Sequence, residues 1–348
     1  MHAVTTAGLR FIGAGYCLLK ADWPKTLRFA QESRTLSRHG GARALVGAVL
    51  APFRYGTSPE EYFLFGFYDK LHVERKRWVG TVGMWLAQRR FVPAGIRGDF
   101  ADKTRFTERY RELMDGSARF HTATDDPEPL LEALRAGGHD IFIKPADGQC
   151  GTGASVLSIE ELRRDGRGAL ARATAGGGIY IVERRLINHP DIQRIAPDAL
   201  STIRVVTAVT TAGDIEFLFA RARFSIGKVV DNLGSGGLAV PVDLDTGVIS
   251  GPAVASASLI ERTFERHPKT GETFQGKVIP MWDAVLDLAQ RSALRQIEAR
   301  VIGWDIAVTP DGPLLLEGNH NWGKVLWQMP VDEGMAQELE RIKARVLA

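Results

Sequence analysis

Gly303-Trp304-Asp305-Ile306-Ala307-Val308-Thr309-Pro310-Asp311-Gly312-Pro313-Leu314-Leu315-Leu316-Glu317-Gly318-Asn319 reads as two short strands, 304–309 and 314–317, folded back on each other by the Pro310-Asp311-Gly312 turn. Strand side chains repeat every two residues, so Glu317 and Asn319 share a face that Asp305 on the neighbouring strand can join. Both carboxylates stand inside apolar runs, where an unpaired charge is costly. Two carboxylates with an amide oxygen are hard ligands suited to Mg²⁺. A pair of edge-strand charges is the plainer alternative.

Toward the N-terminus, Phe142-Ile143-Lys144-Pro145 ends a strand on a lysine, and Ala146-Asp147-Gly148-Gln149-Cys150-Gly151-Thr152-Gly153 leads into the next strand, 155–159. Glycines let backbone approach a ligand closely, their N–H groups face its oxygens, and an ammonium adds charge; together these suit a polyphosphate. The loop joins strand to strand, so it is neither a P-loop nor a dinucleotide turn, both of which lead from strand to helix. A plain hairpin turn is the alternative, and Cys150 within it reads as a small loop residue rather than a nucleophile. With a further strand over 179–182 and a helix over 161–175 stopped by Gly176-Gly177-Gly178, this stretch makes a compact α+β unit. Asp102-Lys103-Thr104-Arg105 is a basic cluster at its boundary. Ile181-Val182-Glu183-Arg184-Arg185-Leu186 leaves its last strand, where backbone donors and acceptors can meet an adenine edge.

Between these segments, 202–210 is strongly β-forming, and Gly213-Asp214 turns it back into 215–224, which predicts an antiparallel pair. Arg204 lies among Ile203, Val205 and Val206 and needs an anionic partner, either a structural carboxylate or a ligand phosphate. Arg221 and Arg223 share a face, and the polar turn Val230-Asp231-Asn232-Leu233-Gly234-Ser235-Gly236-Gly237 is suited to line a substrate pocket. Arginine fits such a place because its planar fork grips phosphate or carboxylate at two points. Solvated strand arginines beside an ordinary loop are the alternative. A long helix over 281–301 and an amphipathic closing helix on Met335, Leu339, Ile342 and Val346 complete the region. His189, before Pro190, is either a general base or a hydrogen-bonded loop histidine, and no Ser/His/Asp or Cys/His set can be assembled.

Residues 1–100 look mainly helical, with the cluster Tyr62-Phe63-Leu64-Phe65-Gly66-Phe67-Tyr68 expected in a core. The apolar run 44–53 is far short of the roughly 20 residues a membrane span needs. A buried helix is expected there, with shallow membrane contact as the rival. Lysines and arginines number 44 against 41 acids, a net charge of +3 that argues against general nucleic-acid or membrane binding. Two distant cysteines, Cys17 and Cys150, make no disulfide framework, and the first 30 residues lack a signal-peptide layout. The expected protein is soluble and cytoplasmic.

Taken in order, these elements resemble the ATP-grasp superfamily, and within it the sugar-transfer-associated branch. The likeness runs over about residues 55–325, from Pro59-Glu60-Glu61-Tyr62-Phe63 through Asp102-Lys103, Phe142 to Pro145, the 148–153 loop, Val182 to Leu186, Ser201-Thr202-Ile203-Arg204-Val205, Arg221, Val230-Asp231-Asn232 and Gly236-Gly237 to Gly303-Trp304-Asp305 and Leu316-Glu317-Gly318-Asn319. The resemblance implies an α+β ATP-grasp fold with a mainly helical N-terminal region over 1–100, a central lid domain over 101–185, and a C-terminal domain with the metal site over 186–348. It implies ATP and Mg²⁺ as cofactors. Lys103 and Lys144 would meet the phosphates beneath the loop of Gly148, Gln149, Gly151, Thr152 and Gly153. Glu183, Arg184 and Leu186 would form the adenine hinge, and Asp191 and His189 are the ribose candidates. Asp305, Glu317 and Asn319 would hold the metal, while Arg204, with Lys144 and Arg221, would serve catalysis. Arg223, Asp231, Asn232, Gly236 and Gly237 would face substrate.

The implied activity is an ADP-forming carboxylate–amine ligation through an acyl phosphate, with an amino acid and a sugar acid as one pairing by analogy. Phosphoryl transfer needs positioning and charge neutralisation more than a protein nucleophile, which suits a site without a triad. A small-molecule kinase on the same fold and a non-catalytic ATP-binding assembly subunit are the alternatives. The expected partners are small molecules, with no nucleic acid and no membrane span; a homodimer is left open.

Overall fold

The computed structural model describes residues 6–147, 153–227, 233 and 236–347. The chain begins with helices α1 (Thr6–Leu19), α2 (Trp23–Leu36), α3 (Ala42–Tyr55), α4 (Pro59–Leu64), α5 (His72–Arg75), α6 (Thr81–Phe91), α7 (Ala94–Ala101) and α8 (Lys103–Tyr110). Local chemistry sets several of their starts. Ser58 and Glu61 form a reciprocal capping box on α4, with Pro59 in the first turn. Asp102 caps α8 by accepting from the backbone N–H groups of Thr104 and Arg105, so the expected basic cluster is a helix start with Lys103 as its first residue.

The aromatic cluster is core as expected: Tyr62, Phe63, Phe65 and Phe67 are buried, with Phe65 stacked on Trp78 at 4.6 Å between centroids. Through this cluster the helices pack on Ala239, Val254, Leu326 and Met329 of the C-terminal half. Buried polar links fasten the join. Glu61 receives Lys324 at 2.9 Å, and the Gln328 amide bonds both the N–H and the C=O of Val79.

A four-stranded antiparallel sheet follows, built from β1 (Arg119–Thr122), β2 (Ile141–Pro145), β3 (Ser155–Leu157) and β4 (Ile179–Arg184) in the order β1-β4-β2-β3. Helices α9 (Glu128–Gly137) and α10 (Ile159–Ala173) cover it, with Leu131, Ile143, Leu162 and Val182 in a small core of its own. The strand expected to reach residue 159 stops at Leu157, because Ser158 and Glu161 form a capping box that starts α10.

After α11 (Pro190–Ile195), a seven-stranded antiparallel sheet takes up β5 (Thr202–Val209), β6 (Ile215–Phe224), β7 (Leu238–Val242), β8 (Ala253–Val254), β9 (Thr263–Phe264), β10 (Val301–Thr309) and β11 (Gly312–Asn319), in the order β11-β10-β5-β6-β7-β8-β9. The β5–β6 pair and the β10–β11 hairpin are antiparallel as expected. Helix α12 (Trp282–Leu294) is shorter than the predicted 281–301. Val301 pairs with Ala208 and opens β10, so sheet pairing overrides the helical spacing. Helices α13 (Lys324–Gln328) and α14 (Ala336–Leu347) close the chain. Among the described residues, no helix is long and apolar enough to cross a membrane.

Candidate functional site

The seven-stranded sheet carries a row of charge across four strands. Its register sets Glu317 of β11 beside Asp305 of β10, Asp305 beside Arg204 of β5, and Arg204 beside Arg221 of β6. Directly opposed residues in antiparallel strands project to the same side, so four charged side chains share one face. Arg223 and Thr202 form the next pair along, and on the other flank Gly303 faces Asn319. That glycine is a packing requirement: a Cβ there would sit 2.6 Å from the Cβ of Trp322 and 2.8 Å from the Cδ of Arg204.

Arg204 grips Asp305 with two parallel hydrogen bonds, from Nε to Oδ1 and from Nη2 to Oδ2, the second at 2.7 Å. Its Nη1 donates to the carbonyl of Trp322 at 3.2 Å. Arg223 reaches Asp305 Oδ2 at 2.9 Å and donates from Nε to the Thr202 hydroxyl at 2.8 Å. Of the two partners expected for Arg204, the structure therefore shows the carboxylate. Burial alone pushes the Asp305 carboxyl up, but the two guanidinium groups outweigh it and hold it well below the usual carboxylate range.

Glu317 is in the opposite position. Burial, and next the charge of Asp305, push its carboxyl above the ordinary value, and among the described residues it forms no ion pair. Asn319 ties the two acids together, donating its Nδ2 to Asp305 Oδ2 at 3.2 Å and to Glu317 Oε1 at 3.0 Å. To ligate a metal, this amide must turn its oxygen inward. Among the described residues no group of three His, Cys, Asp or Glu side chains is placed to hold a metal. A half-buried carboxyl beside a second acid, without a cation of its own, fits a divalent ion that draws its remaining ligands from phosphate and water.

Arg221 is buried and carries no carboxylate partner among the described residues. Its amino groups donate to the carbonyls of Ala220 and Trp327, each at 2.8 Å, its plane lies over the Phe219 ring at 5.1 Å, and its Nε has no acceptor. Burial lowers its pKa to about 10.

A cavity of about 240 Å³ opens between the two sheets, with Phe142, Lys144 and Glu183 on the small-sheet side and Thr202 and Leu316 on the large. Arg184 at the end of β4, and Leu186 and Ile187 of the crossing segment, line it too. Lys144 pairs with Glu183 at 2.6 Å, and the Lys103 amine lies 3.5 Å from the carbonyl of Pro145, where β2 ends. Gly153 has a φ of +76°, and a Cβ on it would come within 3.0 Å of the Pro145 ring, so the far end of the loop folds tightly back on β2. Leu316, next to Glu317 in β11, and Thr202, bonded to Arg223, bring the edge of the charged row to this cavity, while Glu317, Asp305 and Asn319 themselves are not among its lining residues. A wider depression of about 610 Å³, lined by Phe217, Leu244 and Arg345 among others, includes none of the expected site residues.

Gly148, Gln149, Gly151, Thr152, Asp231 and Asn232 lie outside the described residues. Gly236, with a φ of +96°, and Gly237 lead into β7 beside Arg223, whose strand partner is Ala239. Asp191 turns to Arg194 instead of the cavity, and His189 caps α11; the residue of that helix lining the cavity is Gln193. Sequence reasoning missed Asn188, which is buried and bonds Ala196, Ala199 and Ser201, fixing the cavity wall. No pattern marks it. Thr202 was within reach, since it stands two residues from Arg204 on the same strand face.

The sequence matches the model of the sugar-transfer associated ATP-grasp family over residues 122–344. Among solved structures, D-cycloserine synthetase DcsG aligns with a TM-score of 0.41 at 13% identity over 73% of this chain and 74% of that one. D-alanyl-alanine synthetase A from Vibrio cholerae aligns with a TM-score of 0.38 at 14% identity, covering 71% and 66%. The ADP complex of N5-carboxyaminoimidazole ribonucleotide synthetase gives 0.39 at 12%, covering 64% of this chain and 45% of that one. No curated protein matches the sequence.

Proposed function

From the premise that the chain belongs to the sugar-transfer associated ATP-grasp family, we propose that it is an ADP-forming ligase joining a carboxylate to an amine through an acyl phosphate. One observation carries the reading: Lys144 lines the cavity from the small sheet, and Leu316, the neighbour in β11 of Glu317, an acid without a cation, lines it from the large sheet. The cavity is smaller than the ~300–1,000 Å³ of typical ligand sites. It suits an adenine against the segment 183–187, with the phosphates running out past Lys144 and Lys103 toward Glu317.

Asp305 and Glu317 would hold Mg²⁺, joined by Asn319 once its amide turns; bound there, the ion supplies charge neutralisation for the β- and γ-phosphates. Arg204 and Arg223 keep Asp305 ionised and aimed. Arg221, lacking an acid, is the arginine left to meet the transferred phosphoryl group. The substrate carboxylate attacks the γ-phosphorus, the bond to the bridging oxygen breaks, and ADP leaves. The amine then attacks the acyl carbon and expels phosphate, losing a proton to give the amide. The segment of Asp231, Asn232, Gly236 and Gly237, which follows β6 in the sequence, is assigned to the acceptor.

Incubation with ATP, Mg²⁺ and panels of small acids and amines tests this. The expected result is ADP and phosphate released only when an acid and an amine are both present. A phosphoester formed from one substrate alone would identify a kinase instead, and no ADP release with any pair would favour an ATP-binding subunit.

A further inference from the structure

The N-terminal helices present an apolar surface that the core leaves uncovered. α1 buries Ala14 and Cys17, while Phe11, Ile12, Tyr16 and Leu19 stand on its far side, Leu19 at 85% exposure. At 3.6 residues per turn those four fall within an arc of about 140°, opposite the buried pair. α3 repeats the arrangement, correcting the expectation of a buried helix: Ala44, Ala48 and Ala51 face inward, while Val46, Leu50 and Phe53, spaced i, i+4, i+7, face out. The rings of Phe11 and Phe53 meet at 5.5 Å and join the two stripes into one patch. A surface helix normally turns charge toward water, yet α1 carries a single charged residue, Arg10. Contiguous patches of this kind mark interaction sites.

The charge around the patch indicates what covers it. Residues 1–55 hold eight lysines and arginines and two acids, whereas the chain as a whole carries 44 against 41, so the remainder is net negative. The exposed Arg10, Lys20, Arg43 and Arg54 lie on or next to the two helices. Long basic stems beside an apolar stripe let the stripe sink while the charges stay at the level of phosphate headgroups. We propose that the α1–α3 face docks on the surface of an anionic lipid bilayer, lying in the interface without crossing it. Neither helix is long enough to span, and the attachment combines the two signals that interfacial binding requires, apolar burial and opposite charge.

Co-sedimentation of the full chain with vesicles tests the proposal. Binding is expected to vesicles rich in phosphatidylglycerol, to be much weaker with phosphatidylcholine alone, and to be released by high salt. Leu19→Ser combined with Phe53→Ser should cut binding tenfold or more, on the order expected for the loss of two buried side chains. Arg43→Gln with Arg54→Gln should do the same at low salt, roughly thirtyfold for two charges. Unchanged melting of both variants keeps misfolding from mimicking the result. The proposal is overturned if phosphatidylglycerol vesicles leave the chain in the supernatant, or if both double variants bind as the parent does. It is also overturned if the chain binds no vesicles and forms a dimer that Leu19→Ser with Phe53→Ser splits, which would assign the face to a second copy.

Discussion

The two sheets that flank the cleft manage their charges differently. On the seven-stranded sheet, Arg204, Arg223 and Asp305 are buried and satisfy one another before any ligand arrives. On the four-stranded sheet, Lys144 and Glu183 form a single pair at the rim of the cavity, open to solvent on one side. The large sheet therefore invests its charge in its own stability, and the small one holds its charge ready for exchange with a ligand. Substitutions on the first should cost fold and function together, and those on the second mostly binding.

Asp305→Ala is the strongest way to break that contrast. It strands two buried guanidinium groups, and the loss is expected at ~3–5 kcal/mol of unfolding free energy together with all turnover. A urea midpoint equal to that of the parent would refute the idea that the row is built in. Glu317→Gln separates function from fold. ATP turnover should fall by roughly 10²-fold or more, the scale for removing a group that stabilises transition-state charge, while the fold persists. Its pH dependence has a definite sign. Because the folded-state carboxyl is raised, its contribution to stability is present below the ordinary glutamate range and lost as pH rises through the raised value. Without metal, the glutamine variant should then melt above the parent at alkaline pH, an advantage that disappears in acid; Mg²⁺ should favour the parent alone.

Gly303→Ala tests the packing beneath the row. The added methyl would press on Trp322 and the Arg204 stem, and an overpacking loss of about 1–3 kcal/mol is expected by thermal melting. Lys144→Met, on the small sheet, should leave stability within about 1 kcal/mol and weaken ATP binding roughly tenfold, the equivalent of ~1.4 kcal/mol, read by calorimetry.

Much of this arrangement was legible in the sequence because strand periodicity fixes facing. Glu317 and Asn319 fall on one side by spacing alone, and the Gly213-Asp214 and Pro310-Asp311-Gly312 turns dictate both hairpins; Asp305 joins the two because a register shift between Asp305 and Ile306 pairs it with Glu317 rather than Leu316, which spacing does not show. What spacing could not give was partner choice across strands separated by about a hundred residues. Whether Arg204 meets a carboxylate or a phosphate depends on the β5–β10 register, and that register is set by the whole core. Boundaries failed where two local signals competed, as at Ser158, a strand continuation that is also a cap, and at Val301, a helical position claimed by β10. Burial was the expectation for the apolar run of α3, with surface contact as its rival, because an apolar stretch does not say which half of a helix the core will cover.

A crystal structure with a non-hydrolysable ATP analogue and Mn²⁺ in place of Mg²⁺ tests the central claim most directly, since the metal announces itself by anomalous scattering. The account predicts a manganese peak bonded to Glu317 and to the analogue's phosphates, with Lys144 turned from Glu183 toward the phosphates and the base against residues 183–187. A nucleotide bound elsewhere, or a metal that leaves Glu317 untouched, would contradict it.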